Sequence, residues 1–405
     1  MGFFDSRRAP AVMKHGLLRR YCPAFASKAG QLTMGRVTFL DGYAGAGCYN
    51  NDEPGSPLVL MEAAHAVSAN RAVEAIFVEK DRGTFERLEI VLNEKCSGQS
   101  YTALYGDIDD HIDHILDNCR GTALFAFFDP FGPTLSADRV RSLLNKRTRD
   151  GDPTDVLVHV SVRSVWNFGS RLTKARHENR DLDPSDQKFI VRLDRFLGVD
   201  WWKDKFATVG ESYTDEPDGK ESGVKPANVA LDVAQEYADR IARETGYYTI
   251  SMPVRRRPGH VPIFVLTLFT RHGDGAWLFA DSIGHAGLDW EESWQHSEIS
   301  REGPRGQTGL FSQPESWSFD RDEYERRHSN EWIEIIASNI DALLMERESI
   351  RIYENVVSVF GNTLGTGARE THVRKAVKHL YMHNRVDHDG KGRYFYRDSI
   401  RRPAT

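Results

Sequence analysis

The chain has 405 residues, of which 40% are hydrophobic and 28% charged, and its formal net charge is −6. This composition is typical of a globular protein and leaves room for two or three domains. No apolar run of about 18 residues occurs, so we expect no membrane span. The four cysteines lack CxxC spacing, so we expect neither a metal site nor a disulfide framework, and a cytoplasmic location is the default expectation.

The first part of the chain predicts alternating helices and strands after an initial helix at 10–30. The predicted strands are 37–40, 75–78, 101–105, 124–128 and 155–160, and the predicted helices between them are 57–70, 82–93, 108–118 and 135–144. Continuous apolar strands that alternate with helices indicate a parallel sheet covered on both faces.

Two further strands, 247–254 and 262–270, flank a basic loop from Arg255 to His260 and predict an antiparallel pair at one edge of the sheet. Before them we expect an insertion at about 170–246, with helices at about 184–197 and 226–244 and a polar loop at 211–225. The predicted fold class is therefore α/β, a Rossmann-like sheet that is mostly parallel, in a domain that covers residues 1–290.

The C-terminal part predicts a second domain. Residues 291–345 are expected to form a linker and a helix, and 346–405 a winged-helix-like domain with helices at 352–360 and 370–383. Its hairpin would have Val386 and Tyr394–Tyr396 as arms.

The same C-terminal segment is basic. Residues 346–405 contain 12 Lys/Arg and 7 Asp/Glu, which leaves the rest of the chain at about −11. The segment is therefore a candidate contact for a polyanion, although winged helices also bind proteins. The candidate nucleic-acid-binding residues are Arg374, Lys375, Lys378, Lys391 and Arg393.

Four successive strands of the predicted sheet end in an acidic residue: Asp41, Glu79, Asp107 and Asp129. The carboxyl ends of parallel strands meet at one edge, where open α/β sheets bind their ligands. This repetition predicts a ligand crevice.

A glycine-rich turn, Asp41 to Gly47, follows the first strand and would let a ligand approach the backbone. Glu79 is then placed to accept hydrogen bonds from two ribose hydroxyls, and Asp107 from an adenine amine. The alternative is a tight turn without a ligand. The candidate cofactor-binding residues are Asp41, Ala44, Gly45, Gly47, Glu79, Lys80, Asp107 and Ile108.

The turn favours S-adenosylmethionine over a dinucleotide. A dinucleotide site requires GxGxxG, and no third glycine follows Gly47. S-adenosylmethionine has no phosphates and does not need the pyrophosphate-binding turn.

The turn Asp129-Pro130-Phe131-Gly132 suggests which group would accept a methyl from this cofactor. Asp129 and the Pro130 carbonyl can each accept one hydrogen of an exocyclic amine, which orients the nitrogen for attack. Phe131 can stack on a base. The alternative is a proline-terminated strand with a phenylalanine in the core.

Two upstream segments have simpler explanations as well. Lys14 and His15 open a helix and are candidate catalytic residues that would form a lid over the acceptor, although both could face solvent. Ser56 is the expected N-cap of the helix that begins at Pro57.

Taken in order, these motifs resemble the three-Cys-motif partner protein family, TcmP, over about residues 10–290. The resemblance implies a bacterial class I methyltransferase-like protein with a partner that carries a three-cysteine motif. It depends on Lys14-His15, Asp41 to Gly47, Gly55-Ser56-Pro57, Glu79-Lys80-Asp81, Gly106-Asp107, Asp129 to Gly132 and Phe269-Thr270-Arg271-His272.

The first motifs are also similar to those of bacterial ribosomal RNA adenine-N6 methyltransferases, which carry Asp-Pro-Pro-Tyr at the acceptor turn. Asp-Pro-Phe-Gly looks like the motif of tRNA guanine-N2 dimethyltransferases. A nitrogen acceptor is therefore better supported than either base.

Three functional hypotheses follow. The first is an S-adenosylmethionine-dependent N-methyltransferase that acts on an exocyclic amine of a nucleic-acid base, with RNA as the expected polymer. The second is a methyltransferase that acts on a protein, peptide or small amine with a three-Cys-motif partner. The third is a non-catalytic scaffold that binds nucleic acid and a partner, since fold does not determine function.

Overall fold

The structure is a computed structural model that describes residues 9–49, 52–130, 132–207, 226–302 and 319–403. The chain divides into two compact units. The first contains Cys22–His272, and the second contains Ser6–Tyr21 and Gly273–Thr405. The predicted polar loop at 211–225 and most of the predicted linker lie outside the described residues.

The first unit is built on a sheet of seven strands in the order β3-β2-β1-β4-β5-β7-β6. The strands are β1 (Arg36–Asp41), β2 (Ala72–Glu79), β3 (Tyr101–Tyr105), β4 (Ala123–Phe128), β5 (Thr154–Val160), β6 (Tyr248–Val254) and β7 (Phe264–Thr270). Strands β1 to β5 pair in parallel, and β7 is antiparallel to both of its neighbours. The carboxyl ends of β1 to β5 therefore share one edge, and the strand order reverses between β1 and β4.

Helices connect the strands. They are α1 (Ala9–Ala29), α2 (Ser56–Ala66), α3 (Arg82–Lys95), α4 (Ile108–Asn118), α5 (Ala137–Asp150), α6 (Val162–His177), α7 (Pro184–Leu197), α8 (Trp202–Ala207) and α9 (Pro226–Thr245). The predicted insertion at about 170–246 contains the two predicted helices as α7 and α9, and also α8 and the second half of α6, which were not predicted. Gly169 of α6 lets α8 approach closely, because a Cβ there would lie 2.3 Å from the Phe206 ring.

The sheet core explains why these segments form strands. All six residues of β4 are buried, as expected for a central strand covered by helices on both faces. At the amino edge, the buried Arg147 of α5 donates to the carbonyls of Cys119 and Thr122 at 2.8 and 2.6 Å, and to Thr154 Oγ1 at 2.8 Å. Arg147 therefore ties α5 to the segments that enter β4 and β5.

The second unit is mainly helical. It contains α10 (Gly273–Glu302), α11 (Arg321–Glu346), α12 (Val356–Phe360) and α13 (Glu370–Met382), with a short antiparallel pair of β8 (Ser349–Ile350) and β9 (Ile400–Arg401). Within the described ranges, no helix is both long and apolar enough to cross a bilayer.

The division of the chain differs from the predicted boundary at residue 290. Trp277 of α10 is buried and stacks on Tyr396, with ring centroids 4.8 Å apart, and its edge meets Phe395 at 5.8 Å. The whole of α10 therefore belongs to the second unit, and Arg321–Glu346 packs there as a full helix.

The predicted hairpin is wrong in its second arm. Phe395–Arg397 forms a 3-10 helix, because Phe395 and Tyr396 are buried against Trp277. The segment that pairs with the first arm is instead β9, because the amide of Asp387 donates to the carbonyl of Arg401 at 2.9 Å. The winged-helix interpretation stays a prediction.

Candidate active site

The predicted strand-end carboxylates converge at the carboxyl edge of the sheet. Asp41 is the last residue of β1 and is in register with Phe77 on β2 and Phe127 on β4. Glu79 and Asp129 each lie two residues beyond those partners, on either side of Asp41. The three carboxylates therefore surround the point where the strand order reverses, which is the ligand-binding position of such sheets.

The glycine-rich turn is fixed to both neighbouring strands. The amide of Gly42 donates to the carbonyl of Phe127 at 3.0 Å, and the amide of Ala44 to the carbonyl of Val78 at 3.0 Å. The amide of Gly45 donates to Glu79 Oε2 at 2.9 Å. The turn therefore spans the ends of β2 and β4.

The glycines of this turn have different roles. At Gly42, a Cβ would lie 2.6 Å from the Phe128 ring, so close packing requires glycine there. Gly45 has φ +64°, and no described atom lies within 4 Å of the position a Cβ would take. Gly47, at φ +80°, faces Leu88 and Val91 of α3. Open space therefore adjoins the turn at Gly45.

Glu79 is held by two backbone amides. Its Oε2 accepts from Gly45, and its Oε1 accepts from the amide of Asp81 at 2.8 Å. A carboxylate offers about four lone-pair positions, so each oxygen can accept a second hydrogen bond. The carboxylate is thus oriented in advance and keeps acceptor capacity.

Asp41 is fully buried, and burial raises the pKa of its carboxyl to about 7. Ser56 and the Tyr43 amide, which donates to Oδ1 at 3.1 Å, lower this pKa, while the charges of Asp129 and Glu79 raise it further. Beyond this influence of Ser56, the buried Oδ2 forms no regular hydrogen bond with a described residue. The turn therefore contains a carboxyl that a nearby cation would help to ionise.

The segment before α2 supports this carboxyl. The N-cap of α2 is Gly55 rather than the predicted Ser56, and Pro57 occupies the first turn. The amide of Gly55 donates to the carbonyl of Gly47 at 2.9 Å, and a Cβ on Gly55 would lie 2.8 Å from that oxygen. Ser56 is therefore not the N-cap, and its side chain lowers the pKa of Asp41.

The acceptor turn has a neighbour that the sequence did not reveal. His159 Nδ1, near the end of β5, lies 3.6 Å from Asp129 Oδ1, and the His159 ring packs on Phe264 at 4.4 Å. A histidine inside the otherwise apolar Val156–Val160 was the available signal. Pro130 is buried, and Phe131 lies outside the described residues.

The predicted adenine side contains an exposed ion pair. Lys80 Nζ lies 3.8 Å from Asp107 Oδ2, and Asp107 caps α4 by accepting from the amide of Asp109 at 3.2 Å. The side chain of Ile108 is buried in the apolar core under α4. Both oxygens of Asp107 therefore already have partners.

Tyr43 is a second residue that sequence reasoning missed. Its hydroxyl accepts from Thr134 Oγ1 at 3.1 Å, and burial raises the pKa of the phenol. Tyr43 thereby connects the glycine-rich turn to the chain that follows Asp129.

Lys14 and His15 lie on α1 within the second unit, and their predicted role stays a prediction. His15 is buried and Lys14 is half-buried, so a solvent-facing position is wrong for His15.

The predicted nucleic-acid-binding residues differ in what they contact. Arg374 donates to the carbonyls of Gly390 and Gly392 at 2.7 and 2.9 Å and to Glu370 at 2.7 Å, which gives it a structural role in the second unit. Lys391 pairs with Asp389 at 2.8 Å, and Arg393 lies over the Tyr394 ring. Lys375 and Lys378 are exposed on α13.

The strand order and the single reversed strand define a Rossmann-like sheet of the kind found in class I methyltransferases. No protein-family model and no curated protein matches the sequence.

Similar solved structures include the methyltransferase domain of bacterial CtHen1, at 10% identity and TM-score 0.29, covering 63% of this chain and 99% of that one. The small RNA methyltransferase HEN1 has 11% identity and TM-score 0.30, covering 63% of this chain and 26% of that one. The O-methyltransferase TomG from Streptomyces achromogenes, in complex with SAM, has 14% identity and TM-score 0.31, covering 66% and 92%. TM-scores this low do not support a fold assignment, so the fold is assigned from the strand order.

Proposed function

We propose that this protein is an S-adenosylmethionine-dependent methyltransferase that methylates an exocyclic amino nitrogen of a nucleic-acid base, with RNA as the expected polymer. The observation that carries the proposal is the convergence of Asp41, Glu79 and Asp129 around the open space at Gly45. This arrangement joins a donor side and an acceptor side at one edge of the sheet.

The donor side fits a cationic nucleoside. When bound, S-adenosylmethionine supplies a methyl group on a positively charged sulfur. Asp41 has a buried oxygen that forms no regular hydrogen bond with a described residue, and a cation beside this carboxyl would lower its raised pKa. Glu79 keeps acceptor positions for two ribose hydroxyls, and Gly45 leaves room for them.

The acceptor side fits a planar amine. Asp129 and the Pro130 carbonyl would accept the two amine hydrogens and orient the lone pair, which an aromatic ring otherwise delocalises. On transfer, the nitrogen gains a methyl group and loses one proton. Asp129 can accept that proton, and His159, 3.6 Å away, can share it.

We also propose that the winged-helix-like part of the second unit contacts the RNA through the exposed Lys375 and Lys378. Binding of a partner protein that carries a three-cysteine motif is proposed as well.

The test is Asp129→Ala, assayed for transfer of labelled methyl to cellular RNA and for donor binding by calorimetry. We expect transfer to fall about 100-fold or more, because one proton-accepting and orienting group is lost, while donor binding is retained. Asp150→Ala is the matched control, since Asp150 is exposed at the end of α5. Unchanged transfer in Asp129→Ala, or label found in protein alone, would contradict the proposal.

A further inference from the structure

A cleft of about 740 Å³ opens in the first unit beside the end of β5. One wall is a face of α6, and the other is the loop between β6 and β7 with the segment that leads into α7. The loop between β6 and β7 contains the basic segment at 255–260 noted in the sequence. The proposed methyl transfer does not involve this segment.

The α6 wall is a single helical stripe. Its residues are spaced by one, three or four positions, which places them on one side of an α-helix over about 16 Å. The stripe consists of Arg163, Trp166, Asn167, Ser170, Arg171 and Lys174. The opposite side of α6 is apolar and buried, including Val162, Val165 and Leu172.

The opposing wall is also cationic. It contributes Arg256, His260 and Arg180, and the amide of Arg163 donates to the carbonyl of Ile263 at 3.2 Å, which joins the two walls. Five Lys/Arg line the cleft against two Asp. Of these, Arg171 pairs with Asp186 at 2.5 Å, and Arg180 pairs with Glu178. The cleft is thus a positive region on a chain whose net charge is −6.

One end of the cleft lies close to the acceptor turn. His159 lies 3.6 Å from Asp129, and its ring packs on Phe264, the residue after the cleft-lining Ile263. Ser161 then caps α6, and Arg163 stands in the first turn of that helix. A strand bound along the stripe would therefore lead directly to Asp129.

Two further features point to a ligand. Ser170 is only 6% exposed, and its Oγ has no hydrogen-bond partner in the described part of the chain, although the residue lines the cleft. A buried hydroxyl without a partner is unfavourable unless a ligand supplies one. Trp166 is half-buried: part of its side chain packs on the core, and the rest lines the cleft beside the cations, where a base can stack on it.

We infer that this cleft binds the single-stranded nucleic acid whose base is presented to Asp129, an inference that rests on the proposed function. Arg163, Lys174 and Arg256 would contact phosphates, and Trp166 would stack on a base next to the target. A single strand is favoured because an amine on a base has to leave the stack before it can reach a recessed acceptor site.

The experiment measures binding of a short, labelled single-stranded RNA of mixed sequence to the full chain at several salt concentrations. In Arg163→Gln with Lys174→Gln, we expect binding about 10- to 100-fold weaker and a salt slope smaller by about 1.4, because two phosphate contacts are lost. Trp166→Ala should weaken binding about 10-fold, and Trp166→Phe should restore most of it.

The matched control is Arg87→Gln with Arg149→Gln, which removes two exposed charges of the first unit, on α3 and α5, that do not line the cleft. RNA binding that falls in this control and not in the α6 variant would overturn the inference. Parent-like RNA binding in the α6 variant would also overturn it, and so would a parent protein that does not bind the RNA.

Donor binding, measured separately by calorimetry, should match the parent in every variant. This separates the two claims. A parent protein that binds the RNA through α6 and does not bind S-adenosylmethionine would refute the proposed function and support the cleft.

Discussion

Asp41 shows what a residue type alone does not reveal. Its place at the end of a strand was predictable, but its protonation depends on burial and on the two carboxylates beside it. The folded pKa of about 7 lies above the ordinary value of 3.8. The folded protein therefore holds a proton that the unfolded chain releases, and stability falls as the pH rises from about 4 through about 7.

We predict that Asp41→Asn removes this pH dependence. At pH 8 the variant should be more stable than the parent by roughly 2 kcal/mol or more, and at pH 5 the difference should be much smaller. The amide oxygen can still accept from the Tyr43 backbone, so the turn is preserved. Thermal unfolding at both pH values checks this, and an equal difference at the two would contradict it.

His159 marks the limit of prediction at the residue scale. Its neighbour Asp129 lies 30 positions away in sequence, and the two meet because β5 pairs with β4. Sequence patterns located the strand, but the contact between adjacent strand ends depends on the register.

At the scale of elements, the glycine-rich turn combines packing and binding in a few residues. Gly42 lies against Phe128 of β4, whereas Gly45 faces open space. Substitutions at these two glycines can therefore separate the packing role of the turn from its binding role.

We predict that alanine at these two positions separates fold stability from donor binding. Gly42→Ala should destabilise the fold by about 1–3 kcal/mol, because the Phe128 ring has to move. Gly45→Ala should cost about 1 kcal/mol through its left-handed backbone and weaken donor binding at least about 10-fold by filling the approach to the turn. Thermal unfolding and donor titration of both variants check this. A larger loss of donor affinity in Gly42→Ala would be the contrary result.

Most elements could be predicted because their apolar periodicity is strong. The helices at 184–197 and 226–244 are observed within a residue or so of their predicted ends. The hairpin failed because Tyr394–Tyr396 has strand-like composition, while tertiary burial against Trp277 favours a 3-10 helix. The predicted N-cap at Ser56 is wrong because α2 begins one residue earlier, with Gly55 as its N-cap.

At the scale of the whole molecule, counting charges along the sequence favoured the last 60 residues as the polyanion contact. In the structure, Arg374 and Lys391 of that segment are used in local contacts. Four of the five cleft cations lie within residues 163–180, and the fifth, Arg256, lies in a loop more than 70 positions later. The helical spacing that places Arg163, Arg171 and Lys174 on one face, and the approach of that loop, become visible only in the fold.

The claim on which the other proposals depend is that the carboxyl edge of the first unit binds S-adenosylmethionine. Calorimetric titration of the full chain with this donor tests it most directly, beside Glu79→Gln, which keeps the shape of the side chain and removes its charge. We predict saturable binding to the parent and binding about 10- to 100-fold weaker in Glu79→Gln, because hydrogen bonds to a charged acceptor are lost. Absence of binding to the parent, or equal affinity in Glu79→Gln, would contradict the account.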